Sequence, residues 1–258
     1  HTAARYFLLN NRGAIAPGYL GDFVIIDNFN DFNIEMVFKR GELMYDGQLR
    51  DFPTPEIDPY LVKRAHDTFH LTKLTAEDFK DGRPHAIIGL VPGEIISEDA
   101  GYIDHIDVEY DILKVAVIER HKNTHHIGLG YIKGYGLKSG AVATSISHDS
   151  HNIIVVGTNE EEMAAAANRI VENHGGITVM ENGNVLGEVT LAIAGIMSDD
   201  PLVMVNSALE SAKDEAFRLG VSRDIDPFMT LSFMALPVIP TLRITTRGLF
   251  DVNTQRYI

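Results

Sequence analysis

The most restrictive feature of this chain is the order of its signals between Gly140 and Ile193. GAVATSIS and NIIVVG are β-rich apolar runs separated only by HDSH, and they read as buried strands over Ala141 to Ile146 and Ile153 to Val156. Thr158 and Asn159 then precede Glu160, Glu161 and Glu162, a side-chain cap followed by acids at the positive end of a helix dipole. A helix is expected over Glu160 to Asn173, stopping at Gly175-Gly176. In ITVMENGNVLGEVTLAI, Asn182-Gly183 lies between two β-rich runs, a strong hairpin signal. Strands, a capped helix and a hairpin in that order need helices packed on a sheet, so the expected fold class is α+β.

AIIGLVP and ILKVAVIE read as further buried strands, the second near Lys114 to Ile118. Between them, SEDAGYIDHIDVEYD carries Glu98, Asp99, Asp104, Asp107, Glu109 and Asp111 without a Lys or Arg. It reads as a solvated connector, with an oxygen-ligand site for a hard cation as the alternative. GLGYIKGYG supplies Gly128, Gly130, Gly134 and Gly136, but no capped helix follows, so bulges or close backbone approach explain it better than phosphate binding. Asp199 and Asp200 are expected to cap a helix over Pro201 to Leu219 that buries Leu202, Val205, Leu209, Ala212, Ala216 and Leu219. PFMTLSFMALPVIP, punctuated by prolines, is expected to be buried extended chain with short turns.

Towards the N-terminus, the chain opens on the end of a helix around Ala3 to Leu9, followed by a strand Phe23 to Ile26 and two strands across Arg40-Gly41. Pro53, Pro55 and Pro59 make a stiff connection, and a helix is expected over Pro59 to Phe69. The expected organisation is residues 1–50, a linker with a helix over 51–84, and a main domain over 85–258. Because it starts on a last helical turn, the chain is expected to be part of a longer one.

Composition narrows the partners. At 258 residues and 45% hydrophobic, the chain can bury a substantial core. Its net charge of -14 repels nucleic-acid phosphates and anionic membrane surfaces, so neither is expected as a partner. The absence of cysteine removes disulfides, thiolate nucleophiles and Cys-ligated zinc, and is compatible with a reducing cytoplasm. No run approaches the roughly 20 apolar residues of a membrane span, so a soluble, cytoplasmic protein is expected.

Two polar clusters could carry chemistry. In SISHDSHN, His148 and His151 would point to opposite faces of a strand but can converge in a tight turn. Asp149 and Ser150 could build such a turn by bonding to backbone, so a structural turn and a reactive loop both remain open. As metal ligands the two histidines lack a third and fourth partner nearby. The second cluster, Glu119, Arg120 and His121 with His125 and His126, leaves the end of a buried strand, where sites often form; a surface salt bridge is the plain alternative. No His-x-His occurs, and no Ser, His and Asp suggest a triad.

GAIAPGYLGDFVIID resembles the stretch by which amidohydrolase-superfamily enzymes leave their metal-bearing barrel and complete a small β-sandwich. VAVIERH, IKGYGLKSGAVATSISHDSHNIIVVGTNEEEMAAAANRI, LAIAGIMSD and PFMTLSFMALPVIP, in this order, resemble the bacterial adenine deaminase family across nearly the whole chain. The resemblance implies a hydrolase of cyclic amidine C–N bonds that converts adenine to hypoxanthine and ammonia in purine salvage. It implies a manganese or iron centre in a barrel, with activated water attacking C6 of the purine. That barrel is missing from this sequence. The chain therefore looks like the returning sandwich strands plus the family's C-terminal mixed α/β domain, binding no metal itself and inactive alone. Its expected partners are adenine, the missing N-terminal barrel segment and further copies of itself in a homo-oligomer.

On that resemblance, His148, Asp149 and His151 are the candidate catalytic residues of a loop near the barrel mouth. Ser150, Asn152, Glu119, Arg120 and His121 are the candidate substrate-binding residues. The alternative is a non-catalytic assembly or dimerisation module whose polar loops are structural.

Overall fold

The computed structural model describes residues 1–51 and 55–258, so Pro53 of the proposed stiff connection lies outside the described residues. The chain divides into two compact units, His1–Ile57 and Asp58–Ile258.

In the first unit a short helix, α1 (Thr2–Tyr6), precedes the antiparallel strands β1 (Phe23–Ile26), β2 (Ile34–Lys39) and β3 (Glu42–Tyr45), in that spatial order. The β2–β3 turn falls at Arg40-Gly41, as the sequence predicts. Asp22 fastens it, accepting from the Arg40 N–H and from Arg12 Nη1, both at 2.7 Å. Phe23 and Phe38 face each other across β1 and β2, and their rings stack at 4.7 Å. Successive strand residues point to opposite faces, yet Val24 and Ile25 are 50% and 38% exposed. Apolar side chains therefore stand bare on both faces of this small sheet.

The second unit begins with α2 (Pro59–His66), capped by the Asp58 carboxylate on the Tyr60 N–H at 2.9 Å. It ends at His66, short of the expected Phe69. A 3₁₀ turn over Ala76–Phe79 follows. The sheet then comprises β4 (His85–Leu90), β5 (Ser97–Ile103), β6 (Ile112–Ile118), β7 (Ile127–Lys133), β8 (Ala141–Thr144), β9 (Ile153–Gly157), β10 (Gly176–Glu181) and β11 (Asn184–Thr190). Its order is β11-β10-β8-β9-β6-β7-β4-β5. The β4–β7 pair is parallel and the other neighbours are antiparallel, so the sheet is mixed.

Helices cover both faces. α3 (Glu160–Glu172) packs on one, capped as predicted by Asn159 on the Glu162 N–H at 2.8 Å. α4 (Leu202–Arg218) and α5 (Pro227–Met234) cover the other. This burial explains why ILKVAVIE is a continuous apolar run rather than an alternating one. Val115 and Val117 join the α4–α5 core, and Ala116 and Ile118 join the core beneath α3. The chain closes with a small antiparallel sheet, β12 (Leu242–Thr245), β13 (Gly248–Asp251) and β14 (Arg256–Tyr257). No described helix is long and apolar enough to cross a membrane.

Four expectations are corrected. The acidic run after Ser97 is not simply a connector: its first part is β5, an edge strand whose exposed Glu98 and Asp99 discourage pairing with a further strand. α4 starts without a side-chain cap, because the N-cap position falls on Pro201, which has no side-chain acceptor, while the Asp200 carboxylate accepts from Ser198 Oγ at 3.2 Å. Leu202, assigned to the buried stripe, is 81% exposed, since the first turn of α4 runs past the core that holds Ala212 and Ala216. PFMTLSFM is helical and not extended. Asp226 caps it through the Phe228 and Met229 N–H groups, Pro227 sits in its first turn, and the remaining prolines, Pro237 and Pro240, come only after it ends.

Candidate functional site

β8 and β9 are antiparallel neighbours, with Thr144 opposite Ile154, so Ser145 to Asn152 form the turn at one end of a buried hairpin. The base of the turn is tied down. Ser145 exchanges bonds with Gly176, its N–H donating to the Gly176 carbonyl at 2.9 Å and its Oγ accepting the Gly176 N–H at 2.8 Å. The His151 N–H donates to the Ser147 carbonyl at 2.7 Å, closing a turn in which His151 adopts φ 50. Histidine is among the few non-glycine residues that enter this left-handed region readily.

The turn brings His148 and His151 to the same side, with ring centroids 6.5 Å apart, which a straight strand could not do. α5 supplies a wall: the His148 N–H donates to the Ser232 carbonyl at 3.1 Å, and its ring lies 5.0 Å from that of Phe233. Asp149 projects outward with its side chain 88% exposed, and Ser150 is also exposed. Asn152 is buried and donates through Nδ2 to Ser150 Oγ at 3.0 Å. Among the described residues, Ser147 Oγ, His151 Nδ1, Asn152 Oδ1 and Ser232 Oγ are buried without a hydrogen-bond partner. Such atoms are uncommon in folded proteins, and here four of them belong to one turn and the helix end bonded to it. Ser147, Ser232 and Phe233 escaped the sequence reading; a serine inside the apolar helix PFMTLSFM was the available signal.

The second cluster is brought against the first but does different work. Among the described residues neither Glu119 nor Arg120 forms a salt bridge. The Glu119 carboxylate accepts the N–H groups of His121, Lys122 and Thr124 at 2.6, 3.0 and 3.1 Å, and so builds the β6–β7 turn. Burial pushes its pKa up, but the bonds from Thr124, His121 and Lys122 outweigh this and leave the net value lowered. His121 Nε2 lies 2.9 Å from the Ser150 carbonyl, linking the two turns. Arg120 is 1% exposed and spends its guanidinium on carbonyl and hydroxyl oxygens. His125 and His126 stand exposed in the β6–β7 turn.

His151 is held below its ordinary value of 6.5, first by burial, then by His148 and Arg120, with Asp149 opposing and His121 adding to the depression. The imidazole is therefore neutral at pH 7. Between the folded and unfolded values the unfolded chain binds more proton at this residue, so stability rises with pH there. The stability tied to neutral His151 is fully present above pH 6.5 and is lost as pH falls through and below that value. Melting curves from about pH 8 to 5 should show the parent losing stability below pH 6.5 more steeply than His151→Asn. Parallel curves would refute the assignment.

A manganese or iron centre does not fit these residues. Among those described, no group of three or more His, Cys, Asp or Glu side chains could hold a metal ion.

Fold and site together define an α+β domain with a mixed sheet, helices on both faces and a polar turn rich in unspent hydrogen-bonding groups. Residues 94–256 match the family described as adenine deaminase C-terminal domain, and the chain belongs to that family. It is 40% identical over 265 residues to an adenine deaminase of Dehalococcoides mccartyi, covering 99% of this chain and 46% of that protein. It is 40% identical to adenine deaminase 2 of Carboxydothermus hydrogenoformans and 42% identical to adenine deaminase 1 of Rhizobium johnstonii, each covering 98% of this chain and 45% of the relative. The chain thus spans about half the length of the curated relatives it matches.

Proposed function

We propose that this chain serves the hydrolysis of adenine to hypoxanthine and ammonia as the C-terminal part of a full-length adenine deaminase, with the turn Ser145 to Asn152 placed beside the purine. The reaction is suggested by the names of relatives about 40% identical along nearly the whole chain. The observation that carries the placement is the group of four buried, unpartnered polar atoms at Ser147, His151, Asn152 and Ser232. A purine edge offers donors and acceptors of the kind such atoms lack.

In this reading neutral His151 takes or returns a proton, with His148 and the exposed carboxylate of Asp149 beside it. Asn152 and Ser150 orient the base. Glu119 and His121 hold the turns in place, because their side chains are engaged with backbone. The manganese or iron would be held by residues of the full-length protein outside this chain. The bare apolar faces of β1 and β2 suit returning strands of a composite sandwich whose other strands also lie outside the chain. A cysteine-free chain suits purine salvage in the cytoplasm.

One observation favours the second reading, an assembly module in a homo-oligomer: Leu202, Val203 and Met204 stand exposed together at the start of α4. Removing Asp58–Ile258 from the full-length protein separates the two. The catalytic reading expects adenine turnover to be lost while the remainder stays folded and keeps its metal; a remainder that deaminates adenine at the parental rate would refute it.

A further inference from the structure

We infer that Arg120 is the positioning residue of this turn: its guanidinium, enclosed by oxygens from three separate segments, holds the backbone that carries His151 and does not itself contact adenine. The inference rests on the proposed role of the turn and names the residue through which the turn is held.

A buried arginine is ordinarily balanced by a carboxylate. Among the described residues no carboxylate forms an ion pair with Arg120; the neighbouring Glu119 adds only a weaker charge interaction that opposes the effect of burial. Arg120 Nε donates to the His151 carbonyl at 2.5 Å, Nη1 to the Thr68 carbonyl and hydroxyl at 2.8 and 3.1 Å, and Nη2 to the Ala194 carbonyl at 2.9 Å. These partners lie 31, 52 and 74 residues away in the chain. Only a rigid fork of N–H groups bonds to all of them at once; a lysine ammonium has the charge without the span.

The surroundings are shaped to the guanidinium. The Phe69 ring centroid lies 4.2 Å from Cζ, a cation–π contact that closes one face. Gly195 lies alongside at φ +77, where an added Cβ would come within 2.8 Å of Nη2 and 2.9 Å of Cζ. A side chain at position 195 and a guanidinium in this place exclude each other.

The consequence for His151 is geometric. Its carbonyl is clamped by Arg120 and its N–H by Ser147, so both flanking peptide groups are fixed and the ring can be aimed. Burial lowers the Arg120 pKa only to about 10, so it remains a cation at neutral pH. A fixed positive charge behind the ring favours the neutral imidazole.

The test is a double-mutant comparison in the full-length protein, using Arg120→Lys, Arg120→Gln, His151→Asn and the combinations. Positioning predicts that Arg120→Lys lowers kcat by about tenfold or more while KM stays within about twofold. It also predicts that either Arg120 substitution adds less than about twofold in the His151→Asn background, because the ring being positioned is gone. Histidine-ring NMR should show a raised His151 pKa in Arg120→Gln and shifted His151 resonances in Arg120→Lys. A raised KM with unchanged kcat, or losses that multiply fully with His151→Asn, would overturn the inference and return Arg120 to the substrate. If His151→Asn alone leaves kcat unchanged, the proposed role of the turn fails instead. NMR then decides for Arg120, since unaltered His151 resonances in Arg120→Lys refute positioning and shifted ones support it. Should the Arg120 variants fail to fold, Gly195→Ala crowds the guanidinium without removing its charge and is expected to reproduce the kcat loss; parental kcat in that variant counts against the inference.

Discussion

Replacing His151 by asparagine in the full-length protein is expected to lower adenine turnover by about 10²-fold or more, the scale of a lost proton-transfer group, with the fold and metal content staying near those of the parent. Asparagine is the informative replacement. It tolerates the left-handed backbone that His151 adopts at φ 50, and it keeps a polar group where Nδ1 is now buried. It cannot carry a proton. A purely structural turn predicts the reverse signature, a loss of about 1 to 3 kcal/mol in stability with unchanged kinetics in the molecules that remain folded. The pH profile gives a second reading. Because burial and the neighbouring His148 and Arg120 hold His151 below 6.5, the acid limb of kcat/KM assigned to it should lie below that value and vanish in His151→Asn. Steady-state deamination measured beside a melting curve decides, and a kinetically normal but destabilised variant removes the turn from the catalytic account.

Gly128→Ala is expected to be among the most destabilising single changes in the chain, at about 3 kcal/mol or more. Gly128 lies in β7, where the β12–β13 hairpin crosses it. An added Cβ would collide with the Thr245 carbonyl oxygen and fall 2.6 Å from Gly248 N and 3.0 Å from Gly248 Cα. All are backbone atoms held in pairing between Thr245 and Gly248, so relief requires the hairpin to lift off the sheet. Gly130 provides the control on the same strand. A Cβ there would meet the Leu249 side chain at 3.0 to 3.3 Å, and a side chain can turn aside, so Gly130→Ala should cost about 1 kcal/mol. Urea denaturation of both variants measures the difference. Equal losses would mean that backbone proximity at Gly128 is not the constraint.

Much of the main domain could be read from local chemistry. The Asn159 cap, the glutamates after it and the Asn182-Gly183 turn act through neighbours in sequence, so α3 and the β10–β11 hairpin were predictable without a partner in view. The α5 helix was equally legible: Asp226 followed by Pro227 is the same start signal as Asp58 and Pro59 before α2. The prolines beyond the helix misdirected the reading. β5 was hidden for another reason, because an edge strand buries only part of itself and its acids imitate a solvated loop.

The sequence by itself determined that this is an α+β chain, that strands flank HDSH, and that the chain resembles the adenine deaminase family to which it belongs. Tertiary structure decided the rest, including the parallel β4–β7 pairing, the exposure of Leu202 beyond the core and the use of Arg120. Read along the chain, Glu119 and Arg120 looked like a surface ion pair or a pair of substrate ligands. Folding turns one into a backbone cap and buries the other among carbonyls 31 to 74 residues away. Caps and tight turns are specified by contacts a few residues apart, whereas the surroundings of a buried cation depend on which distant segments the packed sheet brings beside it.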